Sequence, residues 1–238
     1  IAYGDNEEEV FNAVVRSQKR GPWVHKFEAT IESHMLVVAR VRERTGIPGV
    51  SYKSTLLCRD KFIMKQELRK KGIPCALNCE VNSREDAVNF AKQVGFPIIL
   101  KPRGAAGAHG TYKVNNIKHL HEVLSEIHVE HNSNYTAEQF ISGHEGFYDT
   151  LTVNGHIVFD AISHYYPNVL EGMRNRWISP QILVTNRMDA PGYNELKVFG
   201  RKVNEALDLH TTPTHMEWFY GGSGLNFSEI GARPPGCL

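Results

Sequence analysis

Two glutamates, Glu217 and Glu229, bracket the run "EWFYGGSGLNFSE". The run reads as a β-hairpin turning at residues 222–224. That register pairs Tyr220 with Asn226, Phe219 with Phe227, Trp218 with Ser228 and Glu217 with Glu229. Like charges directly opposed on a hairpin repel. A divalent cation with oxygen ligands turns the repulsion into a reason for the pairing, and Mg²⁺ is commonly held by one or two carboxylates plus substrate phosphates. A turn one residue longer would instead send the two acids to opposite faces.

Other stretches carry chemistry of a compatible kind. In "LKPRGAAGAHGT" Lys101 closes an apolar run, and Gly104, Gly107 and Gly110 follow, separated mainly by alanine and His109. Small residues let backbone N–H groups approach an anion, and a nearby lysine adds charge. The run fits neither the P-loop nor the dinucleotide fingerprint. Alone, it reads equally well as a glycine loop without a ligand. Lys61 and Lys65 stand one helical turn apart, the spacing of a shared face, which fits a phosphate site or a solvated basic stripe. "TAEQFISGHEG" places Glu138 and Glu145 around an apolar strand end, suited to a purine edge and ribose hydroxyls or to a plain connecting strand. Arg174, Arg176 and His164 sit in or beside "HYYPNVLEGMRNRW", a polar stretch that reads as a substrate loop or a solvated one.

The elements that must position these residues follow from periodicity. Helices are expected over 6–19, 29–44 and 54–71, the last capped by Ser54 or Thr55. Strand and helix then alternate: a helix opened by Ser83 and Asp86, the strand "FPIILK", "TYKV", a helix from Asn116 and the strand "YTAEQFI". Asn154-Gly155 marks a hairpin over 147–164, "QILVT" is a strand, and a helix covers 192–208. The class is α+β, with a boundary near residue 140. The chain has 238 residues and a formal net charge of +1, so composition argues for neither nucleic acid nor a membrane surface as partner. Twelve histidines show no paired zinc spacing, and four cysteines fit neither a zinc ribbon nor a redox pair, which points to free thiols and a cytoplasmic setting. A start at Ile1 and an end at "GARPPGCL" suggest part of a longer protein.

In order, Lys61, Lys101 with its glycine loop, "EQFI" with Glu145, Glu217 and "EIGARPPG" closely resemble the ATP-grasp superfamily, over roughly residues 48–236. The resemblance implies the ATP-grasp fold, two α+β subdomains clasping ATP, with the remnant of a preceding α/β domain. It divides the chain into 1–50 as the tail of that domain, 51–140 as the lid subdomain with a linking helix, and 141–238 as an incomplete C-terminal subdomain. It implies that Lys61 and Lys101 contact ATP phosphates. Gly104, Gly107, His109 and Gly110 belong to the loop closing over them. Glu138, Gln139, Phe140 and Ile141 read adenine, Glu145 holds ribose, and Glu217 and Glu229 bind Mg²⁺ or Mn²⁺. Arg233 faces the transferred phosphate or a substrate carboxylate. Many members carry Asn where this chain has Gly231, which removes one side-chain metal ligand. The implied activity is an ADP-forming carboxylate–amine ligase working through an acyl phosphate on small-molecule substrates, and "EIGARPPG" looks most like the branch that joins amino acids into dipeptides or related amides. The alternatives are a bicarbonate-activating enzyme of the biotin-carboxylase or carbamoyl-phosphate type and a non-catalytic ATP-binding module.

Overall fold

The computed structural model describes residues 4–104, 110–131, 134–175 and 177–236. The chain opens with α1 (Glu7–Arg20), started by Asn6, whose side chain accepts from Glu9 N, with three acids in the first turn. The next helix, α2 (Met35–Thr45), begins later than its apolar spacing suggests. The preceding residues are extended and then form a short 3₁₀ turn, Glu32–His34. Glu32 is held there by two arginines from distant parts of the chain, so a tertiary contact overrides local helix propensity. Val10, Val14, Val41 and Ile47 make a small core between the two helices.

The expected single helix over 54–71 is two helices, α3 (Tyr52–Arg59) and α4 (Lys61–Lys70), which meet at Asp60. Ser51 caps α3, rather than Ser54 or Thr55, by accepting from Ser54 N at 3.0 Å. Asp60 leaves helical geometry (φ −100°, ψ 102°), and its Oδ1 accepts from Phe62 N and Ile63 N at 3.0 and 3.3 Å. It also pairs with Arg103, which follows the strand carrying Lys101. This break makes Lys61 the first residue of α4 and ties it to the next strand, because Lys61 N donates to Arg103 O at 3.0 Å.

Two antiparallel sheets follow. The smaller contains β1 (Asn78–Val81), β2 (Ile98–Pro102), β3 (Tyr112–Val114) and β4 (Tyr135–Gln139), ordered β1-β4-β2-β3. Strand β1 escaped the sequence reading because "NCEV" is too short to show alternation. Helices α5 (Arg84–Val94) and α6 (Ile117–Glu126) supply Phe90, Leu120 and Leu124 to the core under Ile98, Leu100 and Ala137. The pleat therefore sends Lys101 and Glu138 to the opposite face.

The larger sheet contains β5 (His144–Val153), β6 (His156–Tyr166), β7 (Gln181–Val184), β8 (Thr212–Gly221) and β9 (Gly224–Gly231), ordered β7-β6-β5-β8-β9. Asn154 and Gly155, both at positive φ, turn β5 into β6 as expected. One face packs Tyr148, Ile162, Met216 and Trp218 against α8 (Asn194–Ala206) and against Cys58, Met64 and Leu68 of α3 and α4. Gly200 lets α8 lie on the Tyr148 ring, where a Cβ would be 2.5 Å from ring carbons. Thus α4 rests on the larger sheet while its N-terminus is bonded to the smaller. Phe227 N donating to Pro74 O at 2.8 Å adds a second tie.

The last hairpin corrects the expected register. Gly221 pairs with Gly224, so the turn is Gly222-Ser223, and Trp218 pairs with Phe227, Phe219 with Asn226 and Tyr220 with Leu225. This register sends both Trp218 and Phe227 into the core. A bulge at Ser228 then restores the expected opposition of Glu217 and Glu229.

Asp60→Ala is expected to destabilise the protein by about 1–2 kcal/mol, the usual cost of losing an N-cap. Asp60→Asn keeps the cap acceptor and should lose less. Denaturant melts of both variants check the order, and equal losses would mean the cap contributes nothing.

Candidate active site

The seam between the sheets opens as a cleft of about 500 Å³. Its lining includes Lys61 and Lys65 of α4, Lys101 of β2, Glu138 of β4, Glu145 of β5 and the hairpin pair Glu217 and Glu229. All were singled out from the sequence, and the fold brings them to one cavity. Gly104 lies at the base of the glycine loop, and Gly110, at φ +68°, ends it. Gly107 and His109 lie outside the described residues.

At the buried end Glu138 Oε2 is shared by two ammonium groups, Lys65 Nζ at 2.6 Å and Lys101 Nζ at 2.9 Å. Burial alone would raise the Glu138 carboxyl, but Lys101 and Lys65 overcome it and hold it down to about 2. Burial lowers Lys65 to about 8 against the pull of Glu138. Lys101 moves the other way, upward, because it faces Glu229 and Glu217 as well as Glu138, which together outweigh its burial. Among the described residues, buried Glu138 Oε1 has no hydrogen-bond partner.

The larger sheet contributes an acidic wall. Glu145 pairs with Phe219 and Glu217 with Phe147, so the two acids are diagonal neighbours on the cleft face. Burial, with Glu217 beside it, raises Glu145 to about 8, although Val169 N donates to its Oε2 at 2.7 Å. Glu229 shifts the other way: burial would raise it, but Lys61 (Nζ to Oε2, 3.3 Å) and Lys101 hold it below the usual carboxylate range. Each wall of the cleft thus concentrates one charge sign toward the other.

The family model for the carbamoyl-phosphate synthase L chain, ATP binding domain, matches residues 60–144. The L-arginine-specific L-amino acid ligase of Bacillus subtilis is 31% identical over 222 residues, covering 90% of this chain and 52% of the ligase. The alanine–anticapsin ligase of Bacillus subtilis (strain 168) is 24% identical, covering 76% and 42%. Among solved structures, an L-amino acid ligase from Bacillus licheniformis superposes with a TM-score of 0.73 at 18% identity, covering 96% of this chain and 53% of that one. The chain belongs to the ATP-grasp superfamily. Its relatives place it with the carboxylate–amine ligase-like branch. It spans about half the length of the curated relatives it matches.

Within this ATP-grasp chain, several site expectations sharpen or shift. Glu138 and Gln139 are paired in the sheet interior, with Gln139 N donating to Leu77 O, so only Phe140 and Ile141 lie past the paired strand. The Phe140 ring carries Lys113, whose Nζ is 3.9 Å from its centroid. The polar stretch after β6 is a helix, α7 (Val169–Arg174), that roofs the cleft. Asn168 fastens it, accepting from Glu145 N and donating to Gly143 O. Arg174 reaches Thr111 O at 3.5 Å across the cleft, and Arg176 lies outside the described residues. His164 is not a cleft residue. It bonds His144 (2.8 Å) and Tyr193 (2.9 Å) on the opposite face, beside Trp218.

Other residues here went unread. His215 shares the cleft face with Glu217, two residues on, and its Nδ1 is 2.7 Å from Asp149. Burial would lower this imidazole, but Asp149 and Glu217 raise it to about 9. Strand alternation from Glu217 was the available signal.

The shared carboxylate gives a test. Glu138→Gln leaves two buried ammonium groups without their counter-ion and should cost about 3–5 kcal/mol at neutral pH. Lys65→Met leaves the Lys101–Glu138 pair intact and should cost less. Lys65 has a folded pKa below its unfolded one, so the unfolded chain binds more protons and stability rises with pH from about 8 upward. Without Glu138 the Lys65 ammonium gives up its proton at a lower pH than in the wild type, so the Glu138→Gln deficit should shrink as pH rises toward about 8. Melts across pH 6–10 read this out, and a pH-independent deficit would contradict it.

Proposed function

We propose that this chain is the nucleotide-binding part of an ATP-dependent, ADP-forming carboxylate–amine ligase that works through an acyl phosphate on amino acids or related small molecules. The observation that supports it most is the convergence of Lys61, Lys101 and the facing Glu217 and Glu229 on one cleft. The matched ligases lend further support, and their named substrates are theirs alone.

In this reading Lys61 and Lys101 neutralise ATP phosphates, and the loop carrying Gly104, Gly107, His109 and Gly110 covers them. Phe140 and Ile141 offer backbone groups to adenine beside Gln139. Glu138 Oε1, the orphaned buried acceptor, suits the adenine amino group. Glu145 takes ribose hydroxyls. Glu217 and Glu229, two opposed carboxylates, would hold Mg²⁺ or Mn²⁺ arriving with the nucleotide. Gly231 contributes no side-chain ligand. The metal would supply charge neutralisation across the phosphates.

A substrate carboxylate oxygen attacks the γ-phosphorus, and the bond to the β,γ-bridging oxygen breaks, releasing ADP. The amine nitrogen of the second substrate then attacks the acyl carbon, the acyl C–O bond breaks, phosphate leaves and the nitrogen loses a proton. Lys101 and Arg233 stabilise charge on the transferred group. Roofing by α7 and the glycine loop would keep water from the acyl phosphate. The family model matching residues 60–144 is that of the carbamoyl-phosphate synthase L chain, ATP binding domain, the type named in the alternative reading. It covers the nucleotide side of the cleft, so it bears on ATP more than on the acid. Among the described residues no helix is long and apolar enough to cross a membrane. We place the activity in the cytoplasm, with no nucleic-acid partner.

Phosphate release from Mg-ATP should require a carboxylate and an amine together, with ADP as the nucleotide product. A panel of amino-acid pairs, with products weighed by mass spectrometry, checks this. AMP and pyrophosphate, or turnover on bicarbonate alone, would overturn it. Glu229→Gln should cut turnover by about a hundredfold or more and weaken Mg-ATP binding, since it removes both a metal ligand and the partner of Lys61. Unchanged kinetics would remove the hairpin from the metal site.

A further inference from the structure

The larger sheet carries a second charged row beside the facing glutamates. Asp149 of β5, His215 of β8 and Gly231 of β9 stand side by side, next to the row of Phe147, Glu217 and Glu229 on the same face. His215 Nδ1 lies 2.7 Å from Asp149 Oδ1, and His215 Nε2 faces Glu217 Oε1 at 3.8 Å. The imidazole packs on the Phe147 ring with centroids 4.8 Å apart, and Phe147 packs in turn on Tyr165 at 5.2 Å. The His215 and Asp149 side chains are only 15% and 17% exposed. A pair shielded to this degree adds little stability over an apolar pair of the same size, so its presence points to a use of its geometry.

The neighbours of the pair set that use. Asp149 and His215 lie outside the cleft lining, but Glu217 belongs to it. The three acids of the wall have different supports: Glu145 accepts from Val169 N, Glu229 faces Lys61, and Glu217 is met by His215. Strand β9 offers no side chain opposite His215, because Gly231 stands there. A Cβ at that position would make only ordinary contact, 3.4 Å from Arg233 Cγ. The direction of the ring is therefore set from β5, by Asp149 and Phe147. An imidazole with one nitrogen bonded to a carboxylate is fixed in tautomer and tilt, so its other nitrogen points one way.

We propose that Asp149 and His215 are positioning residues for Glu217. Asp149 orients the imidazole, and the imidazole fixes the Glu217 carboxylate opposite Glu229, ready for a divalent cation. This rests on the reading of Glu217 and Glu229 as metal ligands. The pair takes no part in bond making. It supplies from β5 a constraint that β9 lacks at Gly231, so the metal site is built from three strands rather than from the hairpin alone.

Two measurements on the whole chain test this. The first is calorimetric titration with Mg-ATP and with metal-free ATP. His215→Ala should weaken Mg-ATP binding about tenfold or more and leave metal-free ATP within about twofold, as when a ligand carboxylate loses the group that holds it. Asp149→Asn should show the same split to a smaller degree, and serves if the alanine variant misfolds. His215→Gln, which keeps a donor toward Glu217, should recover part of the loss. In a Glu217→Gln background His215→Ala should add less than about twofold, because it acts through that carboxylate. If the losses are absent, fall equally on both forms of ATP, or persist in full beside Glu217→Gln, the proposal is overturned. The second measurement needs neither metal nor turnover: the ¹⁵N spectrum of the histidine rings, with His215 assigned by its loss in His215→Gln. Asp149→Asn should move the Nδ1 resonance, and Glu217→Gln the Nε2 resonance. Should the wild type bind Mg-ATP no more tightly than metal-free ATP while both resonances move, the metal reading fails and the pair stands as the support of Glu217. If either resonance stays in place, the proposal fails whatever the metal does.

Discussion

The cleft depends on one carboxylate shared between two lysines. Glu138 stands in the middle of the smaller sheet, Lys101 on the neighbouring strand, and Lys65 on a helix that rests on the larger sheet. The contact fixes how far apart the two walls lie at the closed end. It is also why the site is basic there: one negative charge anchors two positive ones, and Lys101 still faces Glu229 and Glu217. Burial makes each member intolerant of losing its partner, so the three side chains hold the geometry as a unit.

From that anchor the remaining charges fall into place by strand alternation. Lys101 and Glu138 share the face left free by the apolar residues of β2 and β4, and Glu145, Glu217 and His215 share the corresponding face of the larger sheet. The cleft is thus a meeting of two sheet faces, with α4 as the element common to both. The acidic wall and the basic wall are each unfavourable alone and neutralise one another across the gap, as with Lys61 and Glu229.

What could be read in the sequence was what local pattern encodes. Apolar spacing located α1, a capping box located α5, Asn154-Gly155 located a hairpin, and lysines, glycines and glutamates in a familiar order pointed to the residues that line the cleft. What escaped depends on long-range pairing. The break at Asp60 is enforced by Arg103, 43 residues away, and the cluster on Glu32 needs Arg233, 201 residues away. Helix α7 was hidden in a polar stretch because a six-residue helix shows no full amphipathic period. The facing of Glu217 and Glu229 was anticipated, but from a turn one residue too long, with an unforeseen bulge making up the difference.

That bulge separates two demands usually met by one turn. Between the tip and Ser228, the strands are set by the core's need for Trp218 and Phe227; beyond Ser228, by the alignment of two acids. Changes of length at Gly222-Ser223 can be absorbed at the tip, where Gly222 and Gly224 have open space. A single residue gained or lost beside Ser228 would leave the core half intact and reverse the face of Glu229. Lineages of this hairpin should therefore vary freely at the tip and keep their spacing from Phe227 to Glu229.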